Sequence, residues 1–267
     1  MRPQHSCPHD HGDRHMTRLF IALLFCLPFA TSIAADGTLA AIQKRGTIRL
    51  GHLQSAPPFS YAGSDGSPQG YSVELCKRVA ENIRQDLKLA DLKLQWVPLE
   101  LQERIEAVRS GKVDIECGTT TWTLSRQQQV DFSLMTFVDG ATVLVSGKSD
   151  MLRMVDLNGK KIAVVPTTTT ADSLQRALNS RMLNAEVIQV NNAEEGIAKV
   201  KSGAVDGYAS DRVVLIGLGL ASKDASHFRV LDEDFSVEPY ALTLPVAIRT
   251  FGWRSTARWP SSIAAER

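Results

Sequence analysis

Twice in this chain a short apolar run ends in a cluster of threonines that opens a helix. That repeated cadence restricts the fold more than any other feature. The first instance runs Asp114-Ile115-Glu116-Cys117-Gly118, then Thr119-Thr120-Thr121-Trp122-Thr123, then Leu124-Ser125-Arg126. The second runs from Lys161 to Val165, through Thr167 to Thr170, into a helical pattern from Ala171 to Leu178. Strands that feed helices through short turns predict a parallel or mixed sheet covered on both faces, an α/β fold. In such sheets a ligand meets the C-terminal ends of strands, beside helix N-termini.

The chemistry of the first turn suits an anion. Thr123 is placed to cap the helix, its hydroxyl accepting from an orphan amide one turn on. Arg126 follows in the first turn, where the helix dipole disfavours a cation unless an anion sits beside it. Hydroxyls, free amides and a guanidinium converging there make a carboxylate site. The competing reading is a capped surface helix with a solvated arginine. Asp211, just after the apolar run Ala204 to Ala209, has the same duality: a site carboxylate at a strand end, or a plain helix N-cap.

Taken in order, the chain predicts a helix over Leu39 to Arg45 stopped by Gly46, a strand over Thr47 to Gly51, and a rigid loop at Ala56-Pro57-Pro58-Phe59. A turn over Gly63 to Ser67 precedes an amphipathic helix from Ser72 to about Leu87. A strand over Leu92 to Pro98 and a helix over Arg104 to Ser110 come next, and an extended segment from Thr136 to Val145 leaves this first unit. After the second threonine turn come a strand over Ala185 to Val190 and a helix over Ala193 to Ser202. A length of 267 residues accommodates two such lobes.

Thirty Lys and Arg against 29 Asp and Glu leave no nucleic-acid footprint. Met16-Thr17-Arg18, the apolar run Leu19 to Ala30 and the small residues Ser32-Ile33-Ala34 describe a cleaved signal peptide over 16–35, too short to span a bilayer. Residues 1–15 read as an upstream extension without function. Signal removal leaves Cys76 and Cys117, either one disulfide or two buried thiols.

Several motifs now resemble one family. They are Gly51…Pro58-Phe59-Ser60, Gly70-Tyr71-Ser72, Val113 to Gly118, Arg126-Gln127…Asp131-Phe132-Ser133, Leu157-Asn158-Gly159-Lys160, the Thr167 to Thr170 turn, Ser202-Gly203…Asp206, and Asp211. In this order and spacing they resemble the periplasmic amino-acid-binding proteins of ABC importers, solute-binding protein family 3, nearest the glutamate/aspartate-binding branch. The resemblance covers about Gly37 to Pro245. It implies a two-lobed type II periplasmic-binding-protein fold with a hinged cleft: lobe 1 over 36–138, lobe 2 over 139–238, and a return to lobe 1 over 239–267. It implies a monomer that captures an amino acid in the periplasm and delivers it to a membrane permease, with no cofactor, metal or nucleic acid.

Carried over by position, the resemblance puts Arg126 on the ligand α-carboxylate with Thr119 and Thr121 as hydroxyl and backbone partners. Thr169 and Thr170 supply the second lobe's share, and Asp211 takes the α-ammonium. Phe59, Leu53, Leu101, Arg104 and Trp122 complete the expected site. Leu53 and Leu101 stand where the acidic-amino-acid branch carries polar contacts. Two leucines cannot pair a second carboxylate, and burying that charge unpaired is costly. The expected ligand is therefore a neutral or partly apolar amino acid. In the competing reading the leucines only pack and Arg104 alone still reads an acid.

Two alternatives share the fold: a periplasmic enzyme resembling cyclohexadienyl dehydratases, and a ligand-sensing module. Catalysis needs a positioned acid or base. The assigned positions supply only Asp211, already committed to the ammonium, and Glu116 is the other candidate. Beyond Pro245 the family pattern stops, and the tail holds two of the four tryptophans without an apolar period. It reads as a frameshifted, truncated end.

Overall fold

A computed structural model describes residues 37–222 and 227–246. The expected signal peptide, the upstream extension and the tail from residue 247 lie outside the described residues.

The first half builds as its pattern demands. Helix α1 (Thr38–Arg45) ends at Gly46, whose left-handed conformation suits a residue without a Cβ. Strand β1 (Thr47–Leu53) follows. Short strands β2 (Ser55–Ala56), β3 (Ser60–Ala62) and β4 (Pro68–Gln69) form a small separate sheet, with the Gly63–Ser67 turn between the last two. Helix α2 (Tyr71–Asp86) buries Val73, Cys76, Val79, Ala80 and Ile83 on one face, the 3.6-residue period that its sequence shows. Strand β5 (Lys93–Leu99), helix α3 (Arg104–Arg109) and strand β6 (Ile115–Glu116) complete the unit.

The main sheet has the order β5-β1-β6-β13-β7, where β7 spans Asp131–Asp139 and β13 spans Glu238–Leu244. β1, β5 and β6 are parallel, and β13 runs antiparallel to β6 and β7. The predicted extended segment is two strands, because Gly140 breaks it: β7 stays in this sheet, and β8 (Ala141–Ser146) enters a second one.

That second sheet has the order β10-β9-β11-β8-β12. Its strands are β9 (Lys161–Val164), β10 (Glu186–Gln189), β11 (Gly207–Asp211) and β12 (Phe228–Val230). Helices α5 (Thr169–Ser180), α6 (Ala193–Ser202) and α7 (Arg212–Ala221) pack with them, and α4 (Leu124–Gln127) is a single turn in the first unit. The chain thus crosses between sheets at Asp139–Gly140 and returns between β12 and β13. The two crossing strands, β7 and β13, pair side by side with Glu238 opposite Asp139.

Each sheet has its own core. Ile48, Leu50, Val79, Ile115 and Leu242 gather in the first; Val143, Val145, Met154, Ile162, Leu174 and Leu231 gather in the second. Burial of apolar side chains at about 25 cal/mol per Å² is what holds each together. Cys76 and Cys117, both fully buried in the first core, form a disulfide with Cα atoms 6.1 Å apart. Of the two states the sequence leaves open, the structure takes the bridge, because α2 lays Cys76 directly over the end of β6. Among the described residues no helix is long and apolar enough to cross a membrane, and no cluster of His, Cys, Asp and Glu could hold a metal ion.

Candidate functional site

The first threonine turn is held from behind. Asp114, buried just before β6, accepts from the Arg49 amide at 2.7 Å and is bridged by Arg45 and Arg49. Ser72 donates to the Gly118 carbonyl at 2.8 Å, tying α2 to the strand end. The turn then runs beside β13: Trp122 donates its amide to the Pro239 carbonyl, and Ala241 donates to Thr120. Thr123 caps α4 as its sequence position predicts, accepting from the Arg126 amide at 3.2 Å.

Arg126 folds back, and its Nη1 donates to the Thr121 carbonyl at 2.9 Å. Burial, and then the nearby Arg104, pull its pKa down to about 10, which leaves it charged at neutral pH. Arg104 is 4% exposed and donates to the Thr119 carbonyl at 3.2 Å.

The second turn mirrors the first. Thr168 caps α5 by accepting from the Ala171 amide, and its hydroxyl donates to the Val165 carbonyl. Thr170 donates to Asp211 at 3.1 Å. Asp211 closes β11 and precedes α7, yet its side chain makes no capping bond. Its carboxylate instead accepts from Thr170 and from the Tyr240 hydroxyl, which decides against the plain N-cap. Burial first, and then the charge of Glu238, push its pKa up from 3.8 to about 7.

A cavity opens between the sheets. The first lobe contributes Leu53, Ala56, Leu99, Leu101, Arg104, Thr119 and Thr121, and the second contributes Val165, Thr169, Thr170, Asn192, Tyr208, Asp211 and Val214. Eight of the residues expected from sequence therefore meet there: Leu53, Leu101, Arg104, Thr119, Thr121, Thr169, Thr170 and Asp211. Three do not line it. Phe59 packs edge-on against Phe137 and Tyr240, with centroids 4.9 and 5.2 Å away, so its ring is spent on the hinge-side core. Trp122 lies beside the return strand, its amide on Pro239. Arg126 is bonded to the carbonyl of the lining residue Thr121 without lining the cavity itself.

The cleft is closed. Thr121 and Thr169 face each other with oxygens 3.3 Å apart, and Gln102 donates across to the Asn191 carbonyl at 2.9 Å. Gly217 of α7 lies so close to Pro57 that a Cβ there would come within 2.4 Å of the Pro57 carbonyl oxygen.

Sequence reasoning missed the acidic cluster under this face. Asp139 and Glu238, one on each crossing strand, lie beside Asp211 and Tyr240. The single Tyr240 hydroxyl hydrogen is given to Asp211, the shorter contact, with Asp139 3.3 Å from the same oxygen, and Asp139 also accepts from the Val213 amide. Burial raises the pKa of Asp139 and lifts that of Tyr240 well above its usual value. The available signal was an acid at each crossing, Asp139-Gly140 and Glu238-Pro239. Glu116 is fully buried behind the first turn. Thr243 donates to one oxygen at 3.1 Å, and burial raises its pKa.

Comparison with known proteins matches residues 48–201 to bacterial extracellular solute-binding proteins, family 3. An L-glutamate/L-aspartate-binding protein of Pseudomonas aeruginosa is 37% identical over 203 residues, 74% of this chain and 67% of that protein. Among solved structures, an ancestral arginine-binding protein bound to glutamine is 28% identical, covering 76% of this chain and 86% of its own, with a TM-score of 0.66. An ancestral amino acid-binding protein that is a precursor of cyclohexadienyl dehydratase is also 28% identical, covering 79% and 86%, with a TM-score of 0.65.

Proposed function

The chain belongs to the family 3 bacterial extracellular solute-binding proteins, and on that premise we propose that it captures an amino acid between its two lobes in the periplasm and delivers it to the permease of an ABC importer. The observation that carries the reading is the placement of Asp211. A buried carboxylate on the cavity wall, held by Thr170 and Tyr240, faces the Thr119–Thr121 turn and Arg104 across the cleft. Under this reading Asp211 takes the α-ammonium. Arg126, bonded to the cavity residue Thr121 but outside the cavity lining, would turn its remaining guanidinium nitrogens to the α-carboxylate, assisted by the amides of the two threonine turns and the Thr119 hydroxyl. A bidentate guanidinium–carboxylate pair fixes orientation as well as adding energy.

The ligand is a neutral or partly apolar amino acid in this proposal. Its side chain would meet Leu53, Ala56, Leu99, Leu101, Val165 and Val214. A second reading, an acidic amino acid, is favoured by one observation: the buried Arg104 guanidinium on the same wall. The site carries no assigned catalytic step, because Asp211 is used in binding and Glu116 lies behind the turn. Export would depend on the signal segment over 16–35, and the protein would act as a monomer without cofactor. Thermal-shift screening against the twenty amino acids and prephenate-like acids, followed by calorimetry on the hits, tests the ligand and the choice between binder and enzyme. Stabilisation by leucine or glutamine above glutamate supports the neutral ligand; glutamate and aspartate alone would transfer the reading to Arg104. Turnover of a prephenate-like acid would replace binding with catalysis.

A further inference from the structure

Glu238 is the first residue of the return strand β13 and is 1% exposed. Its Oε2 accepts from the Thr121 hydroxyl at 2.7 Å and from the Thr169 hydroxyl at 2.7 Å. Thr121 belongs to the turn of the first sheet, and Thr169 is the first residue of α5, beside the second sheet. One oxygen atom on a crossing strand is therefore bonded to both lobes at once. Its other oxygen accepts from Ser236 at 2.5 Å, so the carboxylate is anchored from the crossing segment itself. The hinge ladder places Glu238 opposite Asp139, which fixes where the carboxylate can stand.

We propose that Glu238 is a positioning residue, an interlobe latch whose single oxygen fastens Thr121 to Thr169 and so stabilises the closed clamp independently of any ligand. Two consequences follow. A protein whose closed state is held this way spends more time in the arrangement that a ligand needs, so its apparent affinity is less reduced by the unproductive open population. The hydroxyl hydrogens of Thr121 and Thr169 are also committed to Glu238, which fixes the direction of both groups before anything enters the cleft. A carboxylate acceptor is well suited to the task, because charge-assisted bonds are about twice as strong as neutral ones. The inference rests on the two-lobed fold and not on which amino acid is bound.

The test uses the full chain, stripped of ligand by partial unfolding and dialysis, as wild type and two single variants, Glu238→Gln and Thr169→Val, together with their double variant and Glu238→Asp. Small-angle X-ray scattering reads closure without ligand, and calorimetry with the best amino acid of the screen reads affinity. Both variants are expected to increase the ligand-free radius of gyration and to weaken binding roughly tenfold, the double variant being no worse than Glu238→Gln alone. Glu238→Asp, which keeps the charge but shortens the reach, should not restore closure. An unchanged radius in two folded variants overturns the latch. So do additive effects of the two substitutions, which would mean that they act on different contacts. Tighter binding by Glu238→Gln overturns it as well, because Glu238 would then be competing with the ligand. Failure to find any amino acid ligand would leave the scattering result intact and strike only the functional reading.

Discussion

Lowering the pH should move stability and affinity in opposite directions, because Asp211 is held protonatable by its burial. Its ordinary value of 3.8 is raised to about 7 in the closed protein. A carboxyl whose folded pKa lies above its unfolded pKa binds protons more readily when folded, so unliganded stability rises as the pH falls from about 7 toward 4. Asp139 and Glu116, raised by burial as well, act with the same sign. The exposed acids held low, Glu81 by Arg84 among them, lose their contribution only below the normal carboxylate range. Under the proposed reading, binding has the other sign. An ammonium seated on Asp211 requires the ionised form, and the free protein must first release the proton. With a free pKa near 7, the dissociation constant should weaken about tenfold between pH 8 and 6, and roughly a hundredfold between pH 8 and 5. Calorimetry in buffers of different ionisation enthalpy should detect release of about half a proton per ligand at pH 7. Asp211→Asn should bind weakly at every pH, with a flat profile and no proton release. A wild-type profile that is flat from pH 8 to 5, with no proton released, would refute both the burial argument and the ammonium assignment.

Further outcomes can be measured on the same protein. Arg126→Lys keeps the charge but loses the planar fork, so calorimetry should show binding weakened by at least about tenfold, with melting temperature nearly unchanged. Gly217→Ala places a methyl against the Pro57 backbone of the facing lobe. It should increase the ligand-free radius of gyration and weaken binding, while circular dichroism shows the helix intact. Reduction of the Cys76–Cys117 bridge, which closes a sequence separation of 41 residues, should destabilise by about 4 kcal/mol in urea unfolding. Non-reducing peptide mapping should recover the two cysteines linked. Gly70→Ala should lower the melting temperature, since Gly70 has φ of 119° and an added Cβ would come within 2.3 Å of the Phe59 carbonyl oxygen.

The elements most legible in the sequence are those whose local signals agree. Gly46 and Gly203 stop α1 and α6 at their predicted ends, and the apolar period of Val73, Cys76, Val79 and Ile83 places α2. Thr123 and Asp211 show where local reasoning divides. For Thr123 the cap is a property of its own turn, and sequence was enough. For Asp211 the cap and the site are both consistent with a residue between strand and helix. The choice is made by Thr170 and by Tyr240, which is 29 residues away on a strand of the other sheet. Phe59 lies outside the cavity lining for a related reason. Its aromatic partners Phe137 and Tyr240 come from the two crossing strands, and no sequence period announces that meeting. The disulfide is the same kind of problem, since α2 must be laid on β6 before the sulfurs can be seen to meet.

The cleft is electrically asymmetric, which bears on how a zwitterion would be oriented under the proposed reading. Arg104 and Arg126 both belong to the first lobe, while Asp211 belongs to the second and Asp139 and Glu238 to the crossing strands. Burial lowers the pKa of Arg126, and the repulsion of Arg104 adds to it. An incoming carboxylate relieves that repulsion, and an ammonium relieves the corresponding strain among the acids around Asp211. Neither half of the ligand alone relieves both, so a simple acid or a simple amine should bind far more weakly than an amino acid of the same side chain. The magnitude is set by burial: at an effective dielectric constant near 20, two unit charges 4 Å apart interact by about 4 kcal/mol, against about 1 in water. Closure is therefore what turns an ordinary pair of surface charges into a selective one. A latch that holds the lobes together without ligand acts on specificity as much as on affinity. Opening the clamp by Glu238→Gln should narrow the ratio of amino acid to deaminated-acid affinity, and an unchanged ratio would separate closure from charge selection.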